Sequence, residues 1–178
     1  MDSGAYFAYG CTEETTDFSQ SNYPYYINGA YRAPGGGNVC GNVDYDAAAK
    51  VSGRIAQMPT KDQIRELISS CTWEWKERYN GSYTNGYLVT GSNGNSIFMP
   101  ACGHYGVYMS SGQSELNGAG TTGYYWSGEV VSYGDNLFST YGNAYCLVTE
   151  QPEENTQTVS CPGTVAHSGC CIRPVMKT

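Results

Sequence analysis

The sequence predicts a single α+β domain over residues 1–178, and three observations predict it. Helical signals fall early and strand signals separated by Gly and Asn turns follow, an order that suits α+β folds rather than alternating βαβ units. A length of 178 residues suits one hydrophobic core. Hydrophobic residues at 40% and charged residues at 14% are the balance of a folded chain, not of a disordered one. No internal repeat or interdomain linker divides it.

Residues 2–43 are rich in Gly, Tyr, Asn, Ser and Pro and are broken at Pro34-Gly35-Gly36-Gly37, so they read as irregular, turn-rich surface structure. A short helix is predicted over residues 44–50, with Asp44 as its cap, the helix-favouring Ala47-Ala48-Ala49 inside and Gly53 as its stop. The clearest helix begins at Pro59 or Thr60 and ends near Ser70. Thr60 and Gln63 have the spacing of a capping box, and Ile64, Leu67 and Ile68 form one apolar face for packing on a sheet. Strands are predicted near 86–90, 96–100, 124–127, 144–150, 156–160 and 171–175.

Trp73 and Trp75 share a face if their segment is extended, and Trp126 lies in a predicted strand. All three read as core anchors, because burying an aromatic side chain stabilises by roughly 2 to 3 kcal/mol. A formal charge of −7 and scattered Lys and Arg residues argue against a nucleic-acid partner, which would require a basic patch. No apolar run approaches the roughly 20 residues that span a bilayer, so direct membrane insertion is not expected. The Met1 end lacks the basic and apolar regions of a signal peptide, which fits a mature or excised domain of an exported protein.

Eight cysteines invite a disulfide reading, with buried free thiols as the alternative, and spacing does not reveal a connectivity. No Cys-x-x-Cys pair occurs, which argues against zinc and thioredoxin-like chemistry. Cys170 and Cys171 are adjacent, so in an extended segment their side chains point to opposite faces.

Three motifs in fixed order carry a family resemblance: Cys71-Thr72-Trp73-Glu74-Trp75, then Gly94-Asn95-Ser96-Ile97-Phe98-Met99-Pro100-Ala101, then Gly123-Tyr124-Tyr125-Trp126-Ser127 answered by Ile172-Arg173-Pro174-Val175. With Met58-Pro59-Thr60 they resemble the Fibrobacter succinogenes major paralogous domain, a family abundant in surface proteins of gut Bacteroidales. The resemblance implies a C-type-lectin-like domain, two helices packed on a twisted antiparallel sheet with long irregular loops. In it Arg173 would tie the last strand to the fold. Family members usually begin with another strand upstream of the segment that here is residues 2–10, so the resemblance supports excision from a longer protein. The resemblance also implies a non-enzymatic ligand-binding or adhesin domain at the cell surface, on a pilus tip or on a phage tail fibre. Its ligand would be a host or bacterial surface protein or glycan. The alternative is a structural module that docks on its own chain.

The same scaffold occurs in variable proteins of diversity-generating retroelements, whose variable residues lie in the C-terminal part. Such diversification would account for stray thiols at Cys146, Cys161 and Cys170 and for the Val165-Ala166-His167-Ser168-Gly169 run, and an ordinary undiversified surface domain remains the other reading. Calcium-dependent lectins hold their ion with a Glu-Pro-Asn or Gln-Pro-Asp tripeptide and a Trp-Asn-Asp strand. Gln151-Pro152-Glu153 only imitates the first and Trp126-Ser127-Gly128 does not supply the second, so neither metal nor cofactor is expected. Formylglycine-generating enzymes share the lectin-like architecture, but their reactive cysteine pair is not recognisable. Nor does a local motif assign His104, His167 or any cysteine to catalysis.

Between residues 103 and 169, Tyr, Ser, Gly, Asn and Thr dominate, a mixture in which Tyr supplies rigid contact area and small polar residues adapt their hydrogen bonds. Within it Tyr105, Tyr108, Tyr133, Asp135, Asn136, Tyr141 and His167 are predicted to converge from loops and strand edges on one binding face.

Overall fold

In the computed structural model, which describes residues 4–82, 84–107, 113–133, 136–137, 142–153 and 158–177, the chain is organised around one long antiparallel ladder. The N-terminal region is a meander whose only named strands are β1 (Tyr26–Ile27) and β2 (Ala30–Tyr31), joined through Asn28 and Gly29 at positive φ, as a two-residue hairpin turn requires. Next come α1 (Ala47–Val51), β3 (Ala56–Gln57) and α2 (Lys61–Ser70). An antiparallel sheet of β4 (Thr72–Lys76), β5 (Gly86–Thr90) and β6 (Ser96–Pro100) follows, then the pair β7 (His104–Val107) and β8 (Ser114–Asn117).

The long strand β9 (Thr122–Val130) is separated by the short β10 (Ser132–Tyr133) and β11 (Asn136–Leu137) from its partner β12 (Asn143–Glu150). On its other edge β12 pairs with β13 (Thr158–Ser160) and β14 (Gly163–Val165), and the chain closes with β15 (Val175–Met176) against β3.

The period-two alternation of strand side chains gives the central ladder two buried faces. Trp126, Ala144, Cys146 and Val148 enter a first core, which the N-terminal meander covers with Tyr9, Phe18 and Tyr23. Tyr125 and Leu147 point the other way into a second core, closed by Ile64 of α2 and by Trp73, Tyr87, Val89 and Met99 of the β4–β5–β6 sheet. Trp126 has no exposed surface, and its indole N–H donates to the Phe7 carbonyl at 2.7 Å, which fastens the meander to the ladder.

The expectation of a C-type-lectin-like α+β domain with two helices on one twisted sheet is corrected here. Strand outweighs helix, at 39% against 16%, and the strands are spread over several small ladders. Apolar alternation shows where a strand lies but not which strand it pairs with, and among the described residues the strands are divided among six sheets. Arg173 is exposed and makes no ion pair among the described residues, so it does not tie the last strand down. The backbone does so, through Lys177 N–H donating to the Ile55 carbonyl and through the β3–β15 pair.

Local signals fared better. Thr60 Oγ1 accepts from Gln63 N–H at 3.1 Å and Gln63 Oε1 accepts from Thr60 N–H at 2.9 Å, the reciprocal capping box. The β5–β6 hairpin spans residues 86–100 with its turn at Gly94, whose φ of +80° favours glycine. The cap of α1 is Asp46, not Asp44. Its wholly buried carboxylate accepts from the backbone N–H groups of Ala49 at 3.0 Å, Gly41 at 2.7 Å and Met58 at 2.9 Å. Three converging donors favour the buried position over the exposed Asp44.

Replacing Trp126 by Ala removes the largest wholly buried side chain and the Phe7 hydrogen bond together. The variant is expected to lose about 3 to 5 kcal/mol of stability. Urea denaturation measures it, and an unchanged midpoint would place Trp126 outside the core.

Candidate functional site

The tyrosines of the N-terminal meander form one continuous chain of rings. Tyr45 meets Tyr25 at 6.0 Å between centroids, Tyr25 meets Tyr23 at 5.5 Å, Tyr23 meets Tyr31 at 6.0 Å, and Tyr31 also touches Tyr26 at 5.0 Å. The chain ends at His167, whose ring stacks on Tyr31 at 6.0 Å with 7° between planes. Such pairs stabilise by about 0.5 to 1.5 kcal/mol beyond area burial, so the rings hold one another in place.

Hydrogen bonds orient the same rings. Tyr23 is buried and its hydroxyl donates to the Tyr9 carbonyl at 2.8 Å, while the Tyr25 hydroxyl donates to the Gly10 carbonyl at 3.3 Å. Burial pushes the Tyr23 phenol well above its ordinary value and the Tyr25 phenol to about 12, so both remain neutral donors. Gln20 Nε2 donates to the Tyr31 hydroxyl at 2.9 Å, and that hydroxyl lies 2.7 Å from His167 Nδ1. Burial lowers the His167 pKa below 6.5, which favours the neutral imidazole.

Beside these rings lies a cleft of about 380 Å³, lined by Phe18, Tyr23, Tyr25 and His167 and rimmed by Glu13, Glu14, Asp17 and Asp44. Asp17 Oδ1 accepts from Ser19 N–H at 2.9 Å, which favours the carboxylate and lowers its pKa. Glu13 is paired with Lys50. Small, aromatic and acidic side chains thus meet in one concave surface, with the polar groups at its edge.

Of the residues expected on the binding face, His167 lies at this cleft. Tyr105 is half-buried on β7, stacked on Phe18 at 5.2 Å and edge-on to Tyr6 at 4.9 Å, so it supports the cleft floor from behind. Gly169 lets this happen: its backbone bonds to Tyr105 in both directions, and a Cβ there would stand 2.5 Å from the Phe18 ring. Tyr133 and Asn136 are backbone partners in the β10–β11 pair. Tyr108, Asp135 and Tyr141 lie outside the described residues. Sequence reasoning missed Tyr23, Tyr25, Tyr31 and Tyr45, although Tyr23-Pro24-Tyr25-Tyr26 sets three tyrosines within four residues.

The other candidate chemistries are placed as follows. Gln151, Pro152 and Glu153 line a polar groove with Thr121, Thr122, Glu150 and Thr158. No group of three or more His, Cys, Asp or Glu side chains among the described residues could hold a metal ion. His104 packs its ring on Tyr124 at 4.1 Å, burial lowers its pKa, and its Nδ1 is buried without a hydrogen-bond partner. Cys146 and Cys170, read from sequence as stray thiols, are wholly buried in the first core. Among the described residues no helix is long and apolar enough to cross a membrane.

Comparison with protein-family models, with characterised proteins and with solved structures finds no match to this chain.

The depressed pKa of His167 has a consequence for stability. The unfolded chain binds the proton more readily, so His167 contributes its full share of stability above about pH 6.5 and loses it as the pH falls through that value toward the lower folded-state pKa. Between about pH 7 and pH 5 the wild type should lose more melting temperature than His167→Gln does. Parallel melting curves would contradict this. Calcium and chelator should both leave the melting temperature unchanged, because a cation bound only by the folded state would raise it by mass action. A calcium-dependent rise of several degrees that disappears in Glu153→Ala would overturn the metal-free account.

Proposed function

We propose that this chain is a non-enzymatic ligand-binding domain whose ligand, a host or bacterial surface protein or glycan, is taken in the tyrosine-lined cleft. The observation that carries the reading is the ring chain from Tyr45 to His167 set beside a cleft of about 380 Å³. Binding sites are typically concave, with aromatic walls and a few placed polar groups. Tyrosines already fixed by ring contacts and hydrogen bonds lose little freedom when a ligand arrives. The acidic rim of Glu14, Asp17 and Asp44 repels anions, which favours neutral or basic surfaces and glycans over sulfated ones and over nucleic acid.

The motif resemblance to the Fibrobacter succinogenes major paralogous domain supports display on a bacterial surface structure, such as a pilus tip, or on a phage tail fibre. Diversification of the coding segment for residues 103–171 belongs to the same reading. A nearby reverse transcriptase with a near-copy of that segment, differing at adenines, is the observation that would establish it. Catalysis is not part of the reading, in which each histidine serves as a ring partner to a tyrosine, His167 to Tyr31 and His104 to Tyr124.

One observation favours a second reading, a structural module that docks on its own parent chain. Val51, Ile55 and Met176 are 82%, 62% and 67% exposed around the β3–β15 pair, an apolar edge distant in role from the cleft.

A glycan array and a pull-down with the whole chain separate the two. In the ligand-binding reading Tyr25→Ala and His167→Ala each weaken binding by about 2 kcal/mol while the chain stays folded. A ligand retained equally by both variants, or association with the parent polypeptide alone, contradicts the reading.

A further inference from the structure

The second core is not completely filled. Between α2, β6 and the β9–β12 ladder lies a cavity of about 200 Å³, floored by the buried Ile64, Met99, Tyr125 and Leu147 and walled by the half-buried Leu67 and Ile97. At its edge stand two exposed polar residues, Gln63 of α2 and Arg173 of the C-terminal segment. The cavity shares no lining residue with the tyrosine cleft, which is built on the first core.

The polar groups of this cavity are one-sided. The Tyr125 hydroxyl is engaged, donating to the Pro100 carbonyl. Gln63 Oε1 accepts from Thr60 N–H in the capping box, which leaves the Nε2 donors of that amide. Arg173 is the one charged residue that lines the cavity among the described residues, it makes no ion pair among them, and a guanidinium offers only donors. Arg173 also borders a cleft of about 420 Å³, but Glu14 lines that cleft and supplies a carboxylate of its own, whereas the cavity has none among the described residues.

We propose that this cavity binds a small free monocarboxylic acid, with the apolar tail inside and the carboxylate on Arg173, assisted by Gln63. The planar fork of a guanidinium matches a carboxylate with two parallel hydrogen bonds, and an acceptor-only head is what a mouth of donors selects. Volume sets the tail: an apolar cavity of about 150 Å³ holds benzene, so one of about 200 Å³ takes a tail of about six to eight carbons. A sugar does not suit it, because hydroxyls pushed against Ile64, Met99 and Leu147 would lose their water without finding partners. The formal charge of −7 opposes an anion at long range, but at physiological salt that repulsion is screened beyond about 8 Å and Arg173 decides the local sign. The site stands on the opposite core from the tyrosine cleft and does not depend on the ligand-binding reading given to that cleft.

Methyl-resolved NMR of the whole chain, titrated with butanoate, hexanoate, octanoate and dodecanoate, tests the site. Octanoate should move the methyl signals of Ile64, Leu67, Ile97 and Leu147 and leave those of Val39 and Val130 in the first core in place. Affinity should rise about fourfold for each added methylene up to octanoate, as burial of a CH₂ group gives, and level off once the cavity is full. Arg173→Gln, a change at an exposed position, should bind octanoate about tenfold more weakly and bind octan-1-ol as the wild type does. Octanoate that leaves the four cavity residues unshifted overturns the proposal, and so does an Arg173→Gln variant that keeps its full octanoate affinity. Dodecanoate gaining a further fourfold per methylene would show an open groove in place of a closed cavity, which also overturns it. N-acetylleucine, a mimic of a peptide end, should bind more weakly than octanoate, and the reverse order would assign the site to chain termini instead of free acids.

Discussion

Everything else in this molecule depends on one ladder, β9 against β12, being buried on both faces. A strand whose alternate residues both face protein must find two apolar coverings, and the chain supplies them from different ends. The N-terminal meander covers Trp126, Cys146 and Val148, while α2 with the β4–β5–β6 sheet covers Tyr125 and Leu147. Gly128 N–H donates to the Pro59 carbonyl, and Glu129 Oε2 accepts from Lys61 N–H at 2.6 Å, so the same strand also receives the start of α2, where a carboxylate is favoured by the helix dipole.

The cleft inherits its shape from this arrangement. Irregular chain cannot hold a ring cluster by itself, because its backbone must find hydrogen bonds and its side chains must lose entropy. The ladder and the C-terminal segment beside it answer both demands: Tyr9 N–H donates to the Ala166 carbonyl at 2.8 Å, Phe7 and Cys170 exchange backbone bonds, and the Trp126 indole holds the Phe7 carbonyl. Tyr23 and Tyr25 are anchored in turn on the carbonyls of Tyr9 and Gly10. The cleft's tyrosines are therefore positioned through the backbone that the first core holds in place.

What was legible in the sequence is what depends on neighbours in sequence. The capping box of Thr60 and Gln63, the β5–β6 hairpin and the opposed directions of Cys170 and Cys171 follow from spacing alone. Strand pairing did not follow, since an alternating apolar pattern carries no label for its partner. Asp44 and Asp46 have equal claims as a cap until the distant donors Gly41 and Met58 are in view. The cleft was half legible. His167 was picked from the Tyr- and Ser-rich second half, whereas its ring partner Tyr31 and the wall residues Tyr23 and Tyr25 come from a meander whose turn-rich composition gave no sign of a fixed conformation.

Native-state hydrogen exchange tests the central claim most directly. The account predicts that the amides of Tyr125, Trp126, Leu147 and Val148 exchange only through global unfolding, and that those of Tyr9, Cys170 and Cys171, which fasten the coverings, share that slowest class. Exchange of the β9 and β12 amides at the rate of the surface turns, with protection concentrated in the β4–β5–β6 sheet, would contradict it.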